Sequence, residues 1–427
     1  MTAHRVGRHP HERLRRLRAR GATGLAGLLA VLGPGLLAGL SDDDPPGITT
    51  YSVLGADYGY ELIWVLVVST VALIVFHEVA VRTGVVTGKG LMTLVRERRG
   101  PRAAHFVVGA LLLANFGTIC AEFAGVAAGA HLLTGVGRGI AVPIAAVAVA
   151  LLVLRGSFHR VEHVLLALSA VFVSYIVAGF LAHPDWGEAA RGAIEPALPG
   201  GRDAILAVVA TVGTTLAPWG LAFIQSYAVD KKLRPSDLGY ERVDVVTGAV
   251  MTGVIGLFVI VACAATLHVD GVSIDDASDA AVALEPLAGS AASDLFAVGF
   301  LGAALLAVTI VPLASAYSLA EARRAPADLD LEFGQARTFY TGYGLMLGAA
   351  AIVASIPGIP IVPVLYLTQA LNAILLLAIL PFIRGLASDP QLMGAHRLGP
   401  VARVATAATI VLVGGSVAML ATLTVTG

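Results

Sequence analysis

GPGLLAGLSDDDPPGITTYSVLGADYGY, residues 33–60, is an apolar stretch with three aspartates, two prolines and a glycine in its middle. An Asp near the bilayer centre costs about 3 kcal/mol on insertion scales. Pro45 and Pro46 each lack a backbone donor, and Pro46 disfavours helical geometry at Pro45. A membrane span should therefore break here. Broken helices survive at membrane depth only inside protein or beside water. Freed carbonyls and a carboxylate are hard oxygen ligands suited to a cation.

A second break is expected in GTTLAPWGLAFIQSY, residues 213–227, where Pro218 and Gly220 interrupt an apolar run. Asp44 and Ala217 are 173 residues apart, each in the first span of a five-helix set. Paired interruptions in corresponding helices point to an inverted-repeat transporter with a midplane site. Two ordinary proline kinks are the plainer alternative.

The surrounding chain has the composition of a membrane protein. Of 427 residues, 57% are hydrophobic and 13% charged, where a soluble protein is about a quarter charged. Apolar blocks fall at 22–57, 61–86, 103–133, 139–155, 161–182, 203–229, 243–268, 292–320, 337–356, 359–383 and 401–425. They predict an all-α integral membrane protein with eleven transmembrane helices, in contact with a lipid bilayer. The N-terminus and the even-numbered loops hold 25 Lys and Arg; the other loops hold three, Arg138, Arg191 and Arg202. That bias puts the N-terminus in the cytoplasm and the C-terminus outside. No signal peptide is expected: the first twenty residues carry seven Arg and no apolar run before a cleavage site. Residues 1–20 read as a basic cytoplasmic segment and 21–427 as one transmembrane domain.

A net charge of −1 provides no basic surface for nucleic acid. Cys120 and Cys263 lie inside apolar segments and read as packing residues rather than a disulfide framework or a thiolate zinc cage. No His-Glu-x-x-His pattern or similar constellation marks a membrane enzyme. No cofactor is implied. The sequence does not give an oligomeric state, and a monomer is compatible with it.

The order of segments resembles the Nramp family of divalent-metal transporters, which share the leucine-transporter-type fold. The resemblance runs from about Gly33 to Gly394. It is carried by Asp44-Pro45-Pro46-Gly47 with Tyr58-Gly59-Tyr60, Thr87-Gly88-Lys89, Ala121-Glu122, Arg160-Val161-Glu162, Pro184-Asp185-Trp186, Ala217-Pro218-Trp219-Gly220, Thr368-Gln369, Ser388-Asp389 and Leu392-Met393-Gly394. It implies two inverted five-helix repeats, about 22–182 and 203–383, plus an eleventh helix at 401–425. Family members hold metal with a helix-one Asp and Asn, a helix-six Met sulfur and a helix-six carbonyl. Asp44 matches the Asp, whereas Gly47 stands for the Asn and Ala217 for the Met. Trp219 and Ile224 stand where the family has histidines linked to proton movement, and Ile119 where it has an Asp. These departures, with Ala114-Asn115-Phe116-Gly117 and Ala121-Glu122-Phe123-Ala124-Gly125, resemble the branch of Nramp-related magnesium transporters.

Losing a soft thioether removes a preference for transition metals, and losing the Asn leaves a wider site lined by hard oxygen. Mg²⁺ dehydrates reluctantly and keeps several waters, so Mg²⁺ is the expected substrate, with Mn²⁺ tolerated. The candidate metal residues are Asp44, Gly47, Thr214, Ala217, Gln369 and Glu122. Gly47 and Ala217 could supply only backbone oxygen or room. Glu122 either binds metal through water or is protonated and hydrogen-bonded. Asp42 and Asp43 cannot both point the same way as Asp44, and one of them is expected to line the vestibule or cap a helix end. His77 is expected to join Glu78 and Arg82 in a structural polar cluster, because buried charges usually pair. Without helix-six histidines, transport should be uncoupled from protons. The rival readings are a proton-coupled Mn²⁺/Fe²⁺ importer, a carrier of organic substrates on the same fold, and a non-transporting receptor or sensor.

Overall fold

The computed structural model describes residues 34–155, 173–274, 277–281, 289, 292–329 and 331–426, and all its described regular elements are helical. The basic N-terminus, the start of the first span, Arg160-Val161-Glu162 with much of the fifth span, and part of the acidic loop 269–294 lie outside the described residues. Each of the eleven apolar blocks holds helix. Numbered without the shortest turns, these are α1 (Pro34–Ser41), α2 (Pro45–Tyr58), α3 (Ile63–Thr87), α4 (Leu91–Arg99), α5 (Pro101–Thr134), α6 (Arg138–Arg155), α7 (Val173–Leu181), α8 (Trp186–Ile194), α9 (Arg202–Thr215), α10 (Pro218–Asp230), α11 (Leu238–Ala265), α12 (Ala292–Ala322), α13 (Arg337–Ala354), α14 (Ile361–Leu376), α15 (Leu380–Ser388) and α16 (Pro400–Thr426). Among the described residues, seven helical stretches are long and apolar enough to cross a bilayer.

Both expected breaks are present. The first span divides into α1 and α2 around Asp42–Asp44, and the sixth into α9 and α10 around Leu216 and Ala217. In each case proline opens the second half, where its missing N–H is not needed and its fixed φ suits a helix start. The tenth block also divides, at residues 377–379, between α14 and α15.

Packing places the two broken spans at the centre. Helices α5 and α12 run along each other through the middle, and α14 packs on both α9 and α5. Helix α11 lies against α1 and α2, while α3 lies against α9 and α10. Exchange of the two broken spans thus exchanges α11 with α3, the relation two repeated units produce. Helix α16 stands at the edge: 17% of its apolar window is buried, against 89% for Arg202–Asp230. Val401, Val404 and Val411 are 81, 70 and 71% exposed. An apolar helix with valines turned outward is solvated by lipid rather than water.

The seat of α1 on α11 is made of backbone. A Cβ on Gly39 would stand 2.5 Å from the carbonyl carbon and oxygen of Gly248, and one on Gly35 would stand 2.5 Å from the Val245 nitrogen. Small residues let membrane helices approach this closely. The Thr252 hydroxyl donates to the Gly39 carbonyl, and the Gly35 N–H donates to the Asp244 carboxylate at 2.6 Å.

Candidate metal site at the paired helix breaks

The first break follows from which backbone groups can donate. In a continuous helix the Asp42 carbonyl would accept from residue 46, but Pro46 has no N–H. Helix α1 ends with Asp42 N–H donating to the Gly39 carbonyl at 3.0 Å, and α2 begins with Ile48 N–H donating to the Asp44 carbonyl at 2.8 Å. Asp44 is the N-cap of α2: its Oδ1 accepts from Gly47 N–H at 2.8 Å. The plainer reading of Asp44 as a capping residue therefore describes its geometry, and the cap leaves the carboxylate in the break.

The sixth span breaks for the same reason. Pro218 has no N–H to offer the Thr214 carbonyl. Helix α9 closes with Leu216 N–H donating to Val212, and the Ala217 carbonyl accepts from Gly220 N–H at 3.1 Å.

The two breaks meet at Gly47. A Cβ there would lie 2.6 Å from the Asp42 carbonyl oxygen, 3.1 Å from Asp44 Oδ1 and 3.4 Å from Thr214 Oγ1. Three oxygens thus crowd a residue without a side chain, and Gly47 makes room for their approach. Glu122, from the middle of α5, brings its carboxyl beside that of Asp44. A Cβ on Gly125, one turn further on, would stand 2.5 Å from the Pro45 ring, so α5 sits directly against the first break.

Asp42, Asp43, Asp44 and Glu122 are 1, 0, 5 and 0% exposed. Among the described residues no Lys or Arg pairs with any of them; the ion pairs there, such as Glu78–Arg82 and Lys89–Glu97, involve other residues. Both oxygens of Asp42 and of Asp43 are without a hydrogen-bond partner, and the Glu122 carboxyl has only that of Asp44 beside it. Buried charges are ordinarily paired or coordinate metal, so this arrangement lacks a positive charge. The four carboxyls do not form one cage: among the described residues no three His, Cys, Asp or Glu side chains are grouped for a metal. A cation held at Asp44 would complete its shell with backbone oxygen, hydroxyl or water.

The remaining candidates are placed less directly. Gln369 has its backbone carbonyl 1.8 Å from where a Gly213 Cβ would stand, so it abuts the last turn of α9. Its Oε1 accepts from Asn372 Nδ2 at 3.0 Å, and Asn372 Nδ2 also donates to Thr118 at 3.1 Å. The amide oxygen is thus engaged in a network between α14 and α5. Ala217 is 4% exposed at the start of α10 and presents only a methyl group and a carbonyl. Trp219, Ile224 and Ile119 are fully buried in the apolar core.

Two expectations need correction. His77 does not join Glu78 and Arg82. Glu78 pairs with Arg82 and, at 2.9 Å, with Arg242, whereas both His77 ring nitrogens are buried and unpartnered, with Nε2 facing Gly220. Neither Asp42 nor Asp43 caps a helix or reaches solvent: both are buried with unpartnered carboxyl oxygens, and Asp42 Oδ1 lies on the same Gly220 side.

Residues 35–422 match the family described as Nramp, natural resistance-associated macrophage protein-like. The chain is similar to the divalent metal cation transporter MntH of Deinococcus radiodurans, at 32% identity over 301 residues, covering 67% of each protein. It is also similar to that of Aeromonas hydrophila, at 28% identity over 399 residues, covering 91% of this chain and 94% of that protein. In structure it resembles a mutant of the Eremococcus coleocola manganese transporter, with a TM-score of 0.75 at 19% identity, covering 94% of this chain and 87% of that one. MhsT in complex with L-phenylalanine gives a TM-score of 0.55 at 16% identity, covering 90% and 98%. These two likenesses establish the fold as leucine-transporter-type.

Proposed function

The chain belongs to the Nramp family, and on that premise we propose that it is a multi-pass membrane transporter carrying divalent metal ions past the paired helix breaks by alternating access. The observation that carries this reading is the set of four buried carboxyls, Asp42, Asp43, Asp44 and Glu122, with no cationic side chain paired to them among the described residues. The names of its relatives, divalent metal and manganese transporters, support the same substrate class.

Within that class we assign Mg²⁺ as the principal substrate, with Mn²⁺ accepted. Gly47 and Ala217 supply no side-chain ligand, so no sulfur favours a soft ion. Asp44 is the anchoring carboxylate, and Glu122 acts through a retained water. Thr214 and the carbonyls of Gly47 and Ala217 add hard oxygen. Gln369 joins after its amide leaves Asn372. Mg²⁺ is suited to one or two carboxylates and several waters. A Mn²⁺ importer is the second reading, favoured by the names of the relatives.

The repeats at about 22–182 and 203–383 rock about the site while the eleventh helix stays peripheral. The N-terminus lies in the cytoplasm of a cell bounded by this membrane, and the C-terminus outside. Flux is uncoupled from protons, since Trp219 and Ile224 cannot relay them. Two charges moving inward gain about 4.6 kcal/mol per 100 mV, at about 2.3 per charge, so potential and gradient drive uptake. Proteoliposome assays test the assignment: Mg²⁺ uptake is expected, and Mn²⁺ or Fe²⁺ uptake without Mg²⁺ flux would refute it.

A further inference from the structure

We propose that Asp42 and His77 form a second metal station, distinct from Asp44, that takes a divalent first-row transition ion such as Mn²⁺ through one carboxylate and one imidazole. The two residues come from different helices and meet over α10. A Cβ on Gly220 would lie 3.4 Å from His77 Nε2 and 3.7 Å from Asp42 Oδ1. One carboxylate oxygen and one ring nitrogen therefore face the same small space, over a residue that leaves it open.

Neither group has another use in the fold. His77 is 0% exposed with both ring nitrogens unpartnered, and Asp42 is 1% exposed with both carboxyl oxygens unpartnered. No hydrogen bond joins them. A buried imidazole must make a hydrogen bond or take a ligand to recover what it loses on leaving water. Its neighbour Glu78 is engaged by Arg82 and Arg242, so the ring has no charged partner on its own helix.

Asp42 lies between the two stations. Its carbonyl oxygen belongs to the cluster around Gly47, while its carboxyl oxygen belongs to the space over Gly220. An ion leaving Asp44 toward the α1 and α10 side would meet this residue next. The two places differ in chemistry. The Asp44 surroundings offer oxygen alone, which suits Mg²⁺. A nitrogen ligand suits first-row transition metals better than Mg²⁺, most strongly those after Mn²⁺. The second station holds the ion for which an all-oxygen first station shows little preference.

This inference rests on reading the chain as a divalent-metal carrier, not on which ion crosses. Its test uses the full-length protein in nanodiscs with Mn²⁺ as the only added metal, read by electron spin echo envelope modulation. Wild type should show nitrogen coupling to bound Mn²⁺, and Asp44→Ala should keep it. His77→Gln should lose it, and Asp42→Asn should weaken Mn²⁺ binding about tenfold, so that preference for Mn²⁺ over Mg²⁺ falls. Gly220→Ala supplies a second route should His77→Gln fail to fold. Its methyl would sit at ordinary contact distance from both groups and fill the space, so the coupling should vanish there too. Absence of nitrogen coupling in wild type, its loss in Asp44→Ala, or its persistence in His77→Gln or Gly220→Ala would each overturn the station. Mg²⁺ flux decides the broader function separately.

Discussion

The carboxyls of Asp44, the N-cap of α2, and Glu122 on α5 adjoin in the protein interior, with no cationic side chain paired to either among the described residues. Two such groups set side by side repel unless one is protonated or an ion stands near them. Calorimetry with Mg²⁺ should show at least a hundredfold loss of affinity in Asp44→Ala, equivalent to about 2.8 kcal/mol, and about tenfold, or about 1.4 kcal/mol, in Glu122→Gln. Unchanged binding in Asp44→Ala would remove this residue from the site.

Ala217→Met restores a thioether at the start of α10. Sulfur is a soft ligand, so Cd²⁺ and Mn²⁺ uptake should rise relative to Mg²⁺ by about tenfold in competition assays. A ratio that stays at the wild-type value would show that position 217 does not reach the ion.

Gly47 tests the crowding at the junction. A Cβ 2.6 Å from the Asp42 carbonyl demands backbone movement, unlike the far end of a flexible side chain. Gly47→Ala should cost about 2 kcal/mol of stability, in the range of overpacked cores, and should lower Mg²⁺ uptake several-fold. Thermal melting and vesicle flux measured on one preparation separate the two effects.

Uncoupled transport has an electrical signature. Mg²⁺ entry into proteoliposomes should grow with an inside-negative potential and leave an internal pH dye unchanged. Metal-dependent acidification inside the vesicles would instead support the proton-coupled rival.

The hydroxyl of Thr252 on the Gly39 carbonyl spans the seat of α1 on α11. Thr252→Val keeps the shape and removes the donor. A melting temperature lowered by the equivalent of about 1 kcal/mol is expected, the usual worth of one hydrogen bond. An unchanged melt would mean that the carbonyl finds another donor.

The two breaks were legible in the sequence because Pro45, Pro46, Pro218 and the aspartate run act on their own backbone. The pair Glu78–Arg82 was legible too, since residues four apart on a helix share a face. Adjacent residues do not, which is why His77 turns away from Glu78. Its meeting with Asp42 over Gly220 joins three segments far apart in the chain, and no local pattern announces it. Gln369 was found by its motif, but its engagement by Asn372 and Thr118 depends on how α14 and α5 pack. The crowding at Gly47 likewise appears only once Thr214 arrives from α9.

Where α1 rests on α11, Gly39 meets Gly248 with backbone against backbone. Surfaces that interlock through side chains must lift clear before they move, and each position admits only certain directions of travel. At these glycines the contact has no such teeth. It can be left and re-entered by sliding, and the hydrogen bonds from Thr252 and to Asp244 act as its catches.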